Sequence, residues 1–287
     1  MVKNKTKIKT LGDWKTHFEQ ELSNLYEKIE IQSVFKMLFE HLGWSPTQQL
    51  LHRESLVEND HKAVVLALEK LKSKQPIQYI LGSCFFDDLE LSVNPSVLIP
   101  RPETEELVDW ADGFLSTSAR VLDVCTGSGC MALAIKNRSK LRQVSAMDFY
   151  PETLETAKAN AKALGLDVDF FLANALESLG SEKGFDAIIS NPPYIPENER
   201  IDIEPRVKDF EPNQALFVPQ TDPQLFYRAI AIQAKTKLKS GGMLFFETHE
   251  NFAHQTKALL IELGYQYVEL KLDLQQKARL LKGVWKF

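Results

Sequence analysis

From Glu103 onward, short apolar runs alternate with amphipathic stripes, and this alternation limits the fold more than any other feature. Runs near 119–124, 143–148, 168–172, 185–190, 242–247, 266–272 and 280–287 read as strands, that at 185–190 as a buried one. Helical spacing fills the intervals, near 103–115, 129–137, 151–164, 223–239 and 251–263. A helix between consecutive strands is a crossover, so the strands it joins lie parallel. The pattern therefore predicts an α/β fold, a doubly wound Rossmann-like sheet with ligand sites outside the strand C-termini. There is no internal repeat and no low-complexity segment.

Two of these strand ends carry chemistry. The first strand runs into Cys125-Thr126-Gly127-Ser128-Gly129-Cys130, a glycine turn opening a helix. Glycine lets backbone approach a ligand closely, and a helix N-terminus offers free N–H groups. Gly127-x-Gly129-x-x-Ala132 also fits the dinucleotide-binding fingerprint, and Asp148 ends the next strand about 20 residues on, where a ribose-binding carboxylate would stand. Asp148 can equally cap the helix that begins at Pro151. A nicotinamide cofactor and S-adenosylmethionine both carry an adenosine ribose, so the turn alone leaves both open.

The second is Asn191-Pro192-Pro193-Tyr194, directly after the run Phe185–Ser190. Prolines fix φ and donate no hydrogen bond, which leaves the carbonyls of Asn191 and Pro192 free to face a ligand. With the Asn191 side-chain oxygen they form a rigid cluster of acceptors, and Tyr194 supplies a flat face. Such a site suits a planar group bearing NH2, either an amide or the exocyclic amine of a base. Two acceptors on the two N–H bonds would orient a poorly nucleophilic amide lone pair and stabilise charge growing on nitrogen. The bland alternative is a proline-stiffened turn that caps a strand.

The order of these motifs resembles the amino-methyltransferases that use S-adenosylmethionine. Leu98-Ile99-Pro100-Arg101-Pro102-Glu103-Thr104-Glu105, with Leu107-Val108, resembles the signature ahead of the catalytic domain in the PrmC/HemK family. Gln75-Pro76-Ile77-Gln78-Tyr79-Ile80-Leu81-Gly82 resembles that family's linker, and Glu211-Pro212 with Ala215-Leu216 its segment after the catalytic loop. Members methylate the side-chain amide of a glutamine in peptide chain release factors. The resemblance implies S-adenosylmethionine as cofactor, S-adenosylhomocysteine as product, no metal, and an antiparallel final strand. It places Thr126, Gly127, Ser128, Gly129, Asp148, Asn174 and Asn191 at the cofactor. It places Asn191, Pro192, Pro193 and Tyr194 at the substrate, with Asn191, Pro192 and Tyr194 catalytic. The substrate it implies is the glutamine of the Gly-Gly-Gln motif in class-1 release factors. The chain departs from the family at Asn174, where an Asp is usual, and at Phe217–Thr221, where glycines are frequent. It departs again at Cys125, which replaces a common glycine and reads as a buried packing thiol.

The organisation predicted is a helical substrate-recognition domain over 1–74, a β-hairpin linker over 75–98 and a methyltransferase domain over 99–287. Leu11, Trp14, Phe18, Leu22 and Leu25 form one helical stripe, and Ile31 to Leu42 a second. Ser45-Pro46 starts a third helix and Asp60 a fourth, with Val64, Val65, Leu66, Leu68 and Leu71 as core. Tyr79 to Val97 alternates as a hairpin would. His41, His52 and His61 have no visible partner and receive no role.

Composition narrows the alternatives. With 287 residues and a 44% hydrophobic fraction the chain can build a large domain and a small one. No run approaches a membrane span, and Met1–Lys7 is basic without the apolar core of a signal peptide. Cys84, Cys125 and Cys130 show no metal spacing or paired framework, which points to a reducing cytoplasm. A net charge of -5 argues against stable nucleic-acid binding. Adenine N6 methylation of nucleic acid, methylation of a ribosomal-protein glutamine, a nicotinamide dehydrogenase and a non-catalytic docking module remain as competing functions. Glu247 ends a strand near the face that carries Asn191, and reads at least as readily as an exposed strand-end acid.

Overall fold

The computed structural model describes residues 8–57 and 60–287, so the basic stretch 1–7 lies outside the described residues. The chain forms two compact units, Met1–Gly82 with Pro205–Phe210, and Ser83–Glu204 with Glu211–Phe287.

The first unit is helical: α1 (Leu11–Leu22), α2 (Lys28–His41), α3 (Pro46–Leu51), α4 (His61–Lys72) and α5 (Ile77–Leu81). Thr10 and Asp13 form a capping box on α1, and Ser45 with Gln48 forms another on α3. Trp14, Phe18, Phe35, Phe39, Leu68 and Leu71 pack into one buried cluster. The Phe18 and Phe35 rings meet edge-on at 5.4 Å. Each such side chain, fully buried, contributes about 1.5–3 kcal/mol. Three apolar residues expected in this core are exposed instead: Leu25, Val65 and Leu66. Leu25 lies beyond the end of α1, and Val65 and Leu66 fall off the buried face of α4, which is set by Val64, Ala67, Leu68 and Leu71. Asp60 precedes α4 without capping it; its carboxylate accepts from the Trp44 indole N–H at 3.3 Å. Tyr79 belongs to α5, not to a strand, so the hairpin is shorter than its alternation suggested.

The second unit opens with that hairpin, β1 (Ser83–Phe86) antiparallel to β2 (Leu89–Ser92). It continues through α6 (Pro102–Asp112), β3 (Arg120–Val124), α7 (Cys130–Arg138), β4 (Gln143–Asp148), α8 (Pro151–Leu164), β5 (Asp169–Leu172) and β6 (Phe185–Ser190). After β7 (Ile195–Pro196) and a 3-10 turn at Glu197–Ile201, the chain returns to the helical unit for α9 (Pro205–Lys208). Then follow α10 (Asn213–Leu216), β8 (Phe217–Val218), α11 (Leu225–Lys237), β9 (Leu238–Glu247), α12 (Ala253–Glu262), β10 (Gln266–Leu272) and β11 (Ala278–Val284).

Seven strands make one sheet in the order β10-β11-β9-β6-β3-β4-β5. β11 alone runs against its neighbours. Strand periodicity sends successive residues to opposite faces. Val121, Ile189 and Phe245 pack under α6 and α7, whereas Leu122, Ile188 and Phe246 pack under α11 and α12. The sheet is thus covered on both faces, which is why its central strands read as continuous apolar runs. Register aligns Val124 with Met147 and Ser190, Asp148 with Leu172, and Ser190 with Phe246. The C-termini of β3, β4, β5, β6 and β9 therefore end along one edge.

Candidate active site

That edge opens into a cleft with about 1150 Å³ of empty space, solvent included. Thr126, Gly127, Ser128, Asp148, Asn174, Asn191 and Pro193 line it, with Arg101, Thr104, Cys125, Phe149, Leu176 and Phe226. Gly129, Pro192 and Tyr194 are not part of the wall.

The two glycines of the β3–α7 turn do different work. Gly127 has φ +58° and nothing within 4 Å of where a Cβ would stand, so its backbone is open to a ligand. Gly129 has φ +84° and caps α7; a Cβ there would lie 3.2 Å from both Ala157 Cβ and Leu133 Cδ1. Its role is close packing of α7 on α8. Cys125 also adopts a positive φ, +63°, and is half-buried at the cleft rather than sealed in the core. Burial, reinforced by the nearby Asp148 and Asp123 carboxyls, holds its thiol well above the ordinary value.

Asp148 ends β4 and organises the turn around it. Its Oδ2 accepts from Gly127 N–H at 3.0 Å, and its Oδ1 from Phe149 N–H at 2.8 Å and Tyr150 N–H at 3.3 Å. It does not cap α8, whose N-cap is Tyr150 without a side-chain bond. Burial raises its carboxyl above the ordinary value, and the three N–H groups oppose that. Asn174 is committed locally: its Oδ1 accepts from Leu176 N–H at 3.0 Å and its Nδ2 donates to Glu177 at 3.0 Å. Beneath the turn, buried Asp123 accepts from the Thr126 hydroxyl at 2.6 Å and Ala132 N–H at 3.1 Å. Burial pushes its carboxyl up to about 7.

Asn191 follows β6. Its Nδ2 donates to Thr104 Oγ1 at 3.3 Å, and the Thr104 hydroxyl donates to Glu247 Oε2 at 2.6 Å. The Tyr194 hydroxyl donates to Glu247 Oε1 at 3.2 Å. Glu247 is therefore not an exposed strand-end acid: it is 1% exposed and bonded to two hydroxyls. Burial raises its carboxyl, and these two donors oppose the rise. Burial, reinforced by Glu247, likewise raises the Tyr194 phenol. Glu211, in the segment Glu211-Pro212, is a buried acid. It accepts from Ile99 N–H at 3.1 Å and pairs with Arg101, fastening the chain on both sides of the cleft. Thr104, Glu211 and Glu247 gave no signal of these contacts in spacing or composition; only a quoted signature around Thr104 and Glu211 marked them.

The cleft fits an adenosyl amino acid. Ser128 lines it, and its buried Oγ beside the Cys130 thiol has no strong hydrogen-bond partner. Gly127 leaves room for close backbone approach, and Phe149 and Leu176 add apolar surface. Among the described residues no cluster of His, Cys, Asp and Glu could hold a metal ion. Nor is any described helix long and apolar enough to cross a membrane.

A glycine turn, a strand-end acid and an Asn-Pro-Pro-Tyr turn on one edge of a seven-stranded sheet with one reversed strand define a Rossmann-like methyltransferase. The family model for the methyltransferase small domain matches residues 108–205, and that for the PrmC N-terminal domain matches residues 13–82. A methyltransferase from Pyrococcus furiosus shares the fold, with TM-score 0.52 and 19% identity over 80% of this chain and 99% of that one. The release factor glutamine methyltransferase of Flavobacterium psychrophilum is 34% identical over 95% of this chain and 98% of its own. That of Bacteroides thetaiotaomicron is 33% identical over 92% and 96%. The chain belongs to the release factor glutamine methyltransferase family.

Proposed function

We propose that the protein methylates the side-chain amide nitrogen of the glutamine in the Gly-Gly-Gln motif of class-1 release factors, with S-adenosylmethionine as methyl donor. The observation that carries the reading is the Asn191 carboxamide, anchored through Nδ2 on Thr104 at the cleft beside the glycine turn. The cofactor supplies, when bound, an electrophilic sulfonium methyl group. Gly127 and Ser128 would receive its amino-acid end and Asp148 a ribose hydroxyl.

Asn191 Oδ1 accepts one amide N–H bond of the substrate glutamine, and the Pro192 carbonyl, which does not line the cleft here, would have to turn toward it to accept the second. That orients the nitrogen lone pair and stabilises positive charge as the N–C bond forms. Tyr194 braces the turn through Glu247. The methylated nitrogen is acidic enough to lose a proton to water, so no strong base is required. A glycine-flanked glutamine enters a narrow cleft without side-chain clashes. The helical unit would bind the factor away from the chemistry, so remote binding energy supports orientation. We take the functional division to be 1–74, 75–98 and 99–287. A translation-factor substrate implies a cytoplasmic enzyme with no stable nucleic-acid or membrane partner.

The test is incubation with methyl-labelled S-adenosylmethionine and purified release factor, followed by mass spectrometry. One methyl group on the Gly-Gly-Gln glutamine is the expected result. Label on DNA or on a ribosomal protein, with the release factor untouched, would identify a different substrate.

A further inference from the structure

The side chains behind Asn191 form a chain with a fixed polarity. A threonine hydroxyl carries one proton. At Thr104 that proton goes to Glu247 Oε2, at 2.6 Å. Toward Asn191, Thr104 can then only accept, and Asn191 Nδ2 lies 3.3 Å away. The second Glu247 oxygen takes the Tyr194 hydroxyl proton at 3.2 Å. The Glu247 backbone carbonyl accepts from the Tyr227 hydroxyl at 3.1 Å, which anchors the strand end. Thr104 and Glu247 are 3% and 1% exposed, so water does not compete for these bonds. Thr104 lines the cleft, but Glu247 does not.

A carboxamide can turn over and exchange its oxygen for its NH2 at almost no steric cost. The two orientations are chemically opposite here. With oxygen toward the cleft, Asn191 accepts from an amide NH2. With NH2 toward the cleft, it repels one.

We propose that Glu247, acting through Thr104, is the positioning residue that sets the Asn191 carboxamide oxygen-outward. Tyr194 is held by the same carboxylate. The acceptor-only end of the chain is Glu247, and each link passes one proton direction outward: Asn191 N–H to Thr104, Thr104 O–H to Glu247. Glu247 touches no substrate, and its effect reaches the reaction only through Asn191 and Tyr194. The inference rests on the glutamine-methylation reading for its kinetic consequence, though not for the orientation itself.

Three isosteric or near-isosteric variants test it. Thr104→Val removes the hydroxyl and keeps the shape. Glu247→Met removes both acceptor oxygens at similar size, so the Thr104 proton loses its partner and can turn toward Asn191. Thr104→Ser keeps the hydroxyl. In the full chain with release factor as substrate, Thr104→Val and Glu247→Met should lower kcat by at least about tenfold, the scale of losing preorganised transition-state contacts. S-adenosylmethionine affinity by calorimetry should be unchanged, and Thr104→Ser should retain wild-type turnover. A direct readout accompanies the kinetics. In ¹⁵N-labelled protein, the Asn191 side-chain amide should show one slowly exchanging, hydrogen-bonded proton in wild type and Thr104→Ser. That proton should be lost in Thr104→Val and Glu247→Met.

Near wild-type turnover in both disruptive variants, or a Thr104→Ser variant as impaired as Thr104→Val, overturns the proposal. If the wild type methylates no glutamine, the functional reading fails, and the amide spectrum still decides the orientation. If a variant does not fold, the wild-type spectrum decides alone: two Asn191 amide protons exchanging at solvent rate would overturn the inference.

Discussion

Asp148→Ala has an effect that can be worked from the geometry. A carboxylate offers about four lone-pair positions. Three are occupied, by Gly127, Phe149 and Tyr150 N–H groups at 3.0, 2.8 and 3.3 Å. That leaves about one, on Oδ2, for a ribose hydroxyl, so the residue can make one strong cofactor bond and not two. A hydrogen bond to a charged group is worth roughly 1.5–3 kcal/mol. The dissociation constant for S-adenosylmethionine should therefore rise about 10- to 150-fold. A second arm uses pH. A hydroxyl donor favours the ionised carboxylate, and burial holds the Asp148 carboxyl above its ordinary value. Wild-type affinity should then fall as pH drops through that raised value, and this component should vanish in Asp148→Ala. Calorimetry with S-adenosylmethionine and S-adenosylhomocysteine across pH, with circular dichroism to check folding, measures both. Unchanged affinity in a folded variant, or the same pH dependence in both proteins, would refute the ribose role and leave Asp148 as a turn organiser only.

Asn191→Ala should bind cofactor normally and lose on the order of 100- to 1000-fold in single-turnover rate; near wild-type turnover would remove it from the chemistry. Gly129→Ala forces a left-handed φ on alanine and places a Cβ 3.2 Å from Ala157 and Leu133. Urea unfolding should report a loss of about 1–3 kcal/mol. Asp123 has its carboxyl raised from 3.8 to about 7 by burial. The stability it contributes is complete below the unfolded value and is lost as pH rises through the folded one. Asp123→Asn cannot ionise, so its stability relative to wild type should grow between about pH 4 and 7, by up to roughly 1.4 kcal/mol per pH unit. A difference that stays flat with pH, measured by denaturant titration, would contradict this.

The sheet and its helices were legible from periodicity because both faces of the sheet are covered. That makes β3, β6 and β9 continuous apolar runs, and the helices between them amphipathic. The site was legible at its strand ends for a related reason. Gly127, Asp148 and Asn191 each follow a strand that the pattern already located, and their chemistry is unusual for a turn. Where the reading erred, the cause was three-dimensional. Leu25, Val65 and Leu66 are apolar at plausible spacing, but the helix face that counts is chosen by neighbours from elsewhere in the chain. Tyr79 alternates with its neighbours as a strand residue would, yet it sits in the middle of a five-residue helix, α5.

By itself, then, the sequence determined the order of strands and helices, the edge on which cleft-lining residues gather, and the place of the Asn191 carboxamide on that edge. Only the tertiary structure decided which acid serves which purpose. Asp148 and Glu247 both end strands and look alike in sequence. One lines the cleft and is bound by backbone N–H groups; the other is sealed behind Thr104 and Tyr194. The bonds that separate them join residues 143 and 53 positions apart. No local pattern encodes a contact at that range, because it exists only once the sheet register has brought the strand ends together.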